Sequence, residues 1–257
     1  MEQSVAIVTG AAQGIGRAIA LRLAQDGLAV VAVDLQLSAL VSVVEEIQAQ
    51  GGHVFPLAID VTQAEQREHM VQATLERFQR LDVLVNNAGI QRIAMPLDVT
   101  EEHWDALMNV NAKAVYFCCQ RVLKHMVEQQ SGCIVNIASI AGKMASTVYH
   151  PIYNVSKAAV LAMTKTLALA HASAGVRVNA VCPGIIETAM QEVVDRESAR
   201  ITNRQPQMIR AERLARIPLA HVGEPADVAA VVSFLVSPSA SYMTGQALNV
   251  DGGILTY

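Results

Sequence analysis

Val5-Ala6-Ile7-Val8-Thr9-Gly10-Ala11-Ala12-Gln13-Gly14-Ile15-Gly16-Arg17-Ala18-Ile19-Ala20 opens the chain with a β-branched apolar run, a glycine-rich turn and a helical spacing of apolar positions. This strand–turn–helix pattern repeats along the chain. Short Val/Ile/Ala runs at 5–9, 29–34, 53–59, 83–86, 133–138, 176–182 and 247–250 predict strands, and their continuity suits strands buried on both faces of a parallel sheet. Helical patterns fill the intervals at 15–26, 38–50, 64–78, 101–128, 152–172 and 225–235, with Gly27 and Gly51-Gly52 where helices should stop. Seven strands joined by helices predict an α/β fold: one doubly wound parallel sheet with helices on both faces. No linker, repeat or low-complexity stretch interrupts the pattern, so residues 1–257 are expected to form a single domain.

Composition narrows the function classes. With 52% hydrophobic and 16% charged residues, the chain has apolar side chains enough for a large core and a subunit interface. The net charge of −4 and the lack of a basic block argue against nucleic acid as a partner. No apolar run is long enough to span a membrane, and no signal peptide is recognisable. Cys118, Cys119, Cys133 and Cys182 form no CxxC or Cys/His cluster, so no metal site is expected. They read as buried reduced thiols, which with the lack of an export signal favours the cytoplasm.

Gly10, Gly14 and Gly16 let backbone N–H groups approach a pyrophosphate at a helix N-terminus, so the turn from Gly10 through Gln13, Gly14, Ile15 and Gly16 predicts a dinucleotide cradle. Asp34 follows Gly16 by 18 residues and ends the second strand, where a carboxylate accepts from ribose hydroxyls. A 2′-phosphate there would meet a like charge, at ~4 kcal/mol for a pair about 4 Å apart at a dielectric near 20. Neither Gln13 nor Leu35 supplies a cation, so the expected cofactor is NAD, preferred over NADP by at least ~100-fold. Arg17 is the counter-argument, but it should point along the helix. Asp60 and Val61 end the third strand and suit an adenine edge, or else Asp60 starts the helix after Thr62. Asn87, Ala88 and Gly89 follow the fourth strand at the same end of the sheet.

Tyr153 and Lys157 are four apart on one face of a helix that begins near Pro151. An ammonium one turn away, the helix N-terminus and a cationic nicotinamide would all favour the phenolate, which makes Tyr153 a general acid/base. Ser139 ends the preceding strand and can donate to a reacting oxygen. No triad base is recognisable for a serine nucleophile.

With Asn86-Asn87-Ala88-Gly89, Ser139, Tyr153-x-x-x-Lys157, Pro183-Gly184, Met243-Thr244-Gly245-Gln246 and Asp251-Gly252-Gly253 added to the glycine turn, the chain resembles the short-chain dehydrogenase/reductase family from Val5 to Gly253. The resemblance implies a Rossmann-type fold and a hydride transfer between nicotinamide and a CH–OH or carbonyl carbon. It implies Tyr153 as acid/base, Lys157 on the nicotinamide ribose and lowering the tyrosine pKa, and Ser139 on the substrate oxygen. It further implies Asn111, with Asn109 the competitor, in a proton relay, and Pro183, Gly184, Ile186 and Thr188 against the nicotinamide. It also implies a homotetramer, in keeping with the helix at 152–172, which is apolar nearly all round. Three departures are Ala114 for a common glycine, His221 for a common arginine, and a Ser139–Tyr153 spacing one residue longer than in many relatives.

Substrate choice is expected to lie with residues 91–96, 140–151 and a mobile lid at 187–213, and the candidate substrate contacts are Gln91, Lys143, His150 and Met190 beside Ser139 and Tyr153. The lid is rich in charge: either it is a solvated face, or one of its arginines, or Lys143, meets an anionic substrate. The closing segment from Ala215 looks most like relatives that oxidise polyols, sugars and vicinal diols, so the expected substrate is a small secondary alcohol or its ketone. The alternatives are a 3-oxoacyl-thioester reductase, opposed by Asp34, and a non-catalytic NAD-binding scaffold.

Overall fold

The computed structural model describes residues 3–145 and 149–256. Seven strands, β1 (Val5–Thr9), β2 (Ala29–Asp34), β3 (Val54–Ala58), β4 (Val83–Asn86), β5 (Gly132–Ile137), β6 (Val176–Pro183) and β7 (Ala247–Val250), form one sheet in the order β3-β2-β1-β4-β5-β6-β7. Every pairing is parallel. The expected α/β doubly wound, Rossmann-type sheet is therefore the observed one.

The strands are apolar on both sides because helices cover both sides. On one face Ile7, Leu84 and Ile134 pack with Cys118, Val122 and Met126 of α5 (Val115–Gln129), beneath α3 (Ala64–Phe78) and α6 (Pro151–His171). On the other, Val8, Val85 and Val135 meet Ile19 and Leu23 of α1 (Gly14–Gln25) and Val232 and Leu235 of α9 (Pro225–Val236), with α2 (Val41–Ala49) alongside. A fully buried Leu or Ile contributes about 1.5–3 kcal/mol relative to leaving it exposed, so these two layers supply the main stabilisation.

Three helical expectations need refinement. The helix expected at 38–50 begins as a 3₁₀ turn, Leu37–Leu40, ahead of α2. The helix expected at 101–128 is interrupted: α4 (Glu101–Met108) leads into a π-helical turn, Asn109–Ala114, before α5. Such a turn inserts one residue into the ladder and often marks a functional position. The segment at 187–213 is two helices, α7 (Ala189–Thr202) and α8 (Pro206–Ala215). Asn203, at φ 53°, ends α7 in the left-handed conformation that asparagine tolerates, and Pro206 starts α8 where its missing N–H costs nothing.

Candidate active site

The strand order reverses between β1 and β4, and a cleft of about 570 Å³ opens at the carboxyl ends of the strands at that switch point. Asn87 lines it and is tied to Thr9 beneath. The Asn87 and Ala88 backbone N–H groups donate to Thr9 Oγ1 at 3.0 and 3.1 Å, and Asn87 Nδ2 donates to the Thr9 and Gly10 carbonyls, both at 3.0 Å. Asn87 thus holds the glycine turn with its side chain, and the part played by Thr9 was not legible in the motif.

The turn fits a dinucleotide. Gly10 and Gly14 have φ of 65° and 54°, and a Cβ on Gly16 would run into the Gly10 carbonyl oxygen and the Asn87 amide. The backbone is thereby free to approach a ligand closely at the start of α1, and Gln13, Ile15, Val61 and Gly89 line the same cleft. Asp34 is held in place by two backbone donors, Ala12 N–H to Oδ2 at 3.0 Å and Leu35 N–H to Oδ1 at 2.8 Å. Arg17 is paired with Glu46 of α2, away from the cleft wall. Asp60 lines the cleft while its Oδ1 accepts from the Thr62 N–H and hydroxyl at 2.9 and 2.7 Å. Burial would raise its carboxyl, but these hydrogen bonds hold it below its ordinary value.

At the other end stand Ser139, Tyr153 and Lys157. Ser139 follows β5, its Oγ accepting from Ala141 N–H at 3.1 Å and donating to Pro183 O at 3.5 Å. Tyr153 sits in the first turn of α6, and Lys157 Nζ lies 5.7 Å from its ring centre and donates to Ile137 O at 2.8 Å. The loop after Ser139 lies directly on α6: a Cβ on Gly142 would sit 2.6 Å from the Lys157 carbonyl carbon. Burial pushes the Tyr153 phenol up to about 12, against a smaller opposing pull from the Ser139 hydroxyl, and pushes the Lys157 ammonium down to about 8. Enclosure thus raises the phenol in the protein by itself, whereas the expected lowering concerns the complex with a cationic nicotinamide.

Asn111, in the π turn, is fully buried. Its Oδ1 accepts from Ile90 N–H at 2.9 Å, and its Nδ2 donates to Ile90 O at 2.8 Å and Ser156 Oγ at 3.2 Å. Ser156 in turn donates to Tyr153 O at 2.8 Å, a link that the sequence reading missed. Deeper still, Asn86 Nδ2 donates to Asn136 Oδ1 at 2.9 Å and Asn136 Nδ2 to Thr164 Oγ1 at 2.9 Å, tying β4, β5 and α6 beneath the site.

Pro183, Gly184, Ile186, Thr188, Gln91, His150 and Met190 line the cleft. His150 Nδ1 lies 2.9 Å from Asn154 Oδ1, its ring sits edge-on to Tyr153, and burial lowers its pKa. Lys143 is a correction: its Nζ turns to β7, donating to Ala247 O at 2.8 Å and Asn249 Oδ1 at 2.6 Å, and it does not line the cleft. The lid arginines are engaged as well. Arg200 pairs with Glu197, Arg204 with Glu212, Arg210 with Glu187 and Arg213 with Asp195. The solvated-face reading fits Arg200 and Arg210, whereas Arg204 and Arg213 line the cleft with their charge met by a carboxylate. Residues 146–148 of the expected substrate loop lie outside the described residues.

All four cysteines are free and buried, and burial raises each thiol, Cys118 to about 12 and Cys133 and Cys182 to about 11. Among the described residues no three His, Cys, Asp or Glu side chains gather to hold a metal ion. No helix among them is long and apolar enough to cross a membrane.

A parallel sheet with a glycine cradle at its switch point and a cleft that joins it to Ser139, Tyr153 and Lys157 defines a nicotinamide-dependent oxidoreductase of CH–OH and carbonyl groups; the chain belongs to the short-chain dehydrogenase/reductase family. A family model described as enoyl-(acyl carrier protein) reductase matches residues 10–255. The chain is 42% identical over 255 residues to the 3-oxoacyl-[acyl-carrier-protein] reductase FabG of Thermotoga maritima, covering 99% of each. The solved actinorhodin polyketide ketoreductase, a variant with NADPH, superposes with a TM-score of 0.95 at 36% identity, covering 100% of both chains. An NAD⁺-bound xylitol dehydrogenase does so at 0.94 and 30% identity, covering 98% of this chain and 99% of that one.

These comparisons correct the expected substrate. Curated relatives at 39–42% identity over nearly the full length are named 3-oxoacyl-[acyl-carrier-protein] reductases, which overturns the polyol, sugar or diol reading and favours its alternative.

Proposed function

We propose that the chain reduces 3-oxoacyl thioesters to 3-hydroxyacyl thioesters, with NADH as the preferred reductant. The observation that carries the reaction is the full-length likeness to 3-oxoacyl-[acyl-carrier-protein] reductases in a chain in which one cleft joins the glycine cradle to Ser139 and Tyr153. The bound reduced nicotinamide supplies the hydride. Ser139 holds the 3-oxo oxygen, and Tyr153 delivers the proton that this oxygen needs as it becomes a hydroxyl. Lys157 binds the nicotinamide ribose and places positive charge behind the tyrosine. Asn111 positions Ile90 and, through Ser156, the turn that carries Tyr153, and so supports the proton path. Pro183, Gly184, Ile186 and Thr188 wall the nicotinamide end, with Gln91, His150 and Met190 beside the acyl group.

Asp34 supports NADH. The related structures carry NADPH in one case and NAD⁺ in another, so the fold accepts either and the choice rests on local charge. Here that charge is a carboxylate fixed by two backbone donors, with Arg17 drawn off by Glu46. In this reading α7 and α8 form a lid of the one domain, the chain assembles as a homotetramer, and its reduced thiols suit the cytoplasm.

Reduction of acetoacetyl thioesters, on N-acetylcysteamine, coenzyme A and acyl carrier protein, tests the reaction by loss of reduced-nicotinamide absorbance. Turnover with NADH that falls by ~10³ or more in Tyr153→Phe is expected. Tight NADH binding without turnover of any of the three esters would overturn it.

A further inference from the structure

Beside the main cleft lies a second pocket of about 270 Å³, which shares Gln91, Met190 and Val194 with it. Its other walls are Ile93 and Val193, with Arg92, His103 and Glu197 at the polar end. His103 belongs to the first turn of α4, where Thr100 Oγ1 accepts from its backbone N–H at 3.3 Å. Its Nδ1 is shut off from water and, among the described residues, has no hydrogen-bond partner. A buried polar atom left this way is costly and uncommon in folded proteins. Arg92 is exposed and forms no ion pair among the described residues, whereas the Glu197 carboxylate is held by Arg200 at 2.8 Å. The pocket thus combines apolar walls, one uncommitted cation, one neutralised carboxylate and one orphan imidazole nitrogen.

We propose that this side pocket receives the far end of the substrate's acyl chain, and that Arg92 and His103 select chains ending in an oxygen acceptor, a carboxylate above all. The apolar walls take the methylenes as they leave the shared stretch at Met190. The guanidinium meets the terminal carboxylate, and a rotation about the soft χ2 torsion turns the His103 nitrogen toward it. This inference rests on the thioester reductase reading and deepens it.

The test compares two six-carbon substrates on the same N-acetylcysteamine carrier, 3-oxohexanoyl and 3-oxoadipyl, with acetoacetyl as the short reference. In the unaltered protein kcat/KM is expected to favour the terminal carboxylate by about tenfold, a difference of about 1.4 kcal/mol. Arg92→Gln and His103→Leu are each expected to shrink that ratio several-fold, chiefly through KM. Val193→Trp is expected to depress both six-carbon substrates relative to acetoacetyl. Acetoacetyl turnover in the same preparations reports folding and chemistry. If acetoacetyl is reduced but the carboxylate carries no preference, or if Arg92→Gln leaves the preference intact, the side-pocket assignment is overturned alone. If no thioester is reduced, it falls together with the reaction.

Discussion

Asp34, Tyr153 and Lys157 each carry a charge or a proton whose cost is set by the surroundings. At Asp34 the carboxylate opposes a 2′-phosphate, so kcat/KM for NADH is expected to exceed that for NADPH by at least ~100-fold. Asp34→Ser should bring the two within about tenfold, and an unaltered preference in steady-state kinetics would show that another group selects the cofactor. At Tyr153 the phenol, pushed up to about 12, keeps its proton through neutral pH. Thioester reduction is therefore expected to be flat from about pH 6 to 7 and to decline only as Lys157 loses its charge around pH 8; a fall already between pH 6 and 7 would mean that the phenol is lowered in the complex. Lys157 is 5% exposed, and burial lowers it from 10.5 to about 8. A base held below its unfolded value binds fewer protons folded than unfolded, so it costs stability at neutral pH, and the cost fades as pH rises from about 8 past 10.5. The shift corresponds to about 3 kcal/mol, less about 1 kcal/mol for the lost bond to Ile137 O. Lys157→Met should then raise Tm at pH 7 by about 4 °C or more while activity collapses, and a lower Tm in calorimetry would contradict this account.

At the scale of elements, the site depends on a π turn and a helix pair. Asn111 satisfies both backbone polar groups of Ile90, so Asn111→Leu strands two of them at about 1–3 kcal/mol each. Tm is expected to drop and kcat with it, and an unchanged Tm would show that the loop re-satisfies itself. Asp195 and Arg213 clasp α7 to α8 with little exposure, and Gln191 Nε2 joins them at 3.0 Å from Asp195 Oδ1. Arg213→Met should loosen the lid and raise the thioester KM about tenfold with a smaller change in kcat. Much of this level was legible in the chain. β1, the glycine turn and α1 are consecutive, and Tyr153 and Lys157 share a helix face by spacing alone. Lys143 was misread because its partners lie on β7, more than 100 residues away, and no local pattern announces them. The lid arginines were ambiguous because pairing with Glu187 or Asp195 depends on how two helices fold back on each other. Enclosure, which raises the Tyr153 phenol in the protein by itself, has no mark in spacing, unlike charge.

For the molecule as a whole, α6 still has one face to account for. Val155, Ala158, Ala162 and Leu169, the last 85% exposed, form a single outward stripe of α6, and Tyr116 is exposed on α5. This stripe of small and apolar residues, interrupted by the exposed Lys165 and Thr166, suits close packing against another copy, and light scattering is expected to give a four-chain mass. Pairing Ala162→Arg with Leu169→Asp should lower that mass; a monomer in the unaltered protein would leave the stripe unexplained. The clasp of Asn87 on Thr9 and Gly10 has a temporal side. It joins residues 78 positions apart, so the glycine turn takes its binding shape only after β4 has docked beside β1. Dinucleotide affinity is thus expected to appear only once this long-range pairing has formed. Added cofactor should protect the finished protein by mass action yet leave the early phases of refolding at the same speed.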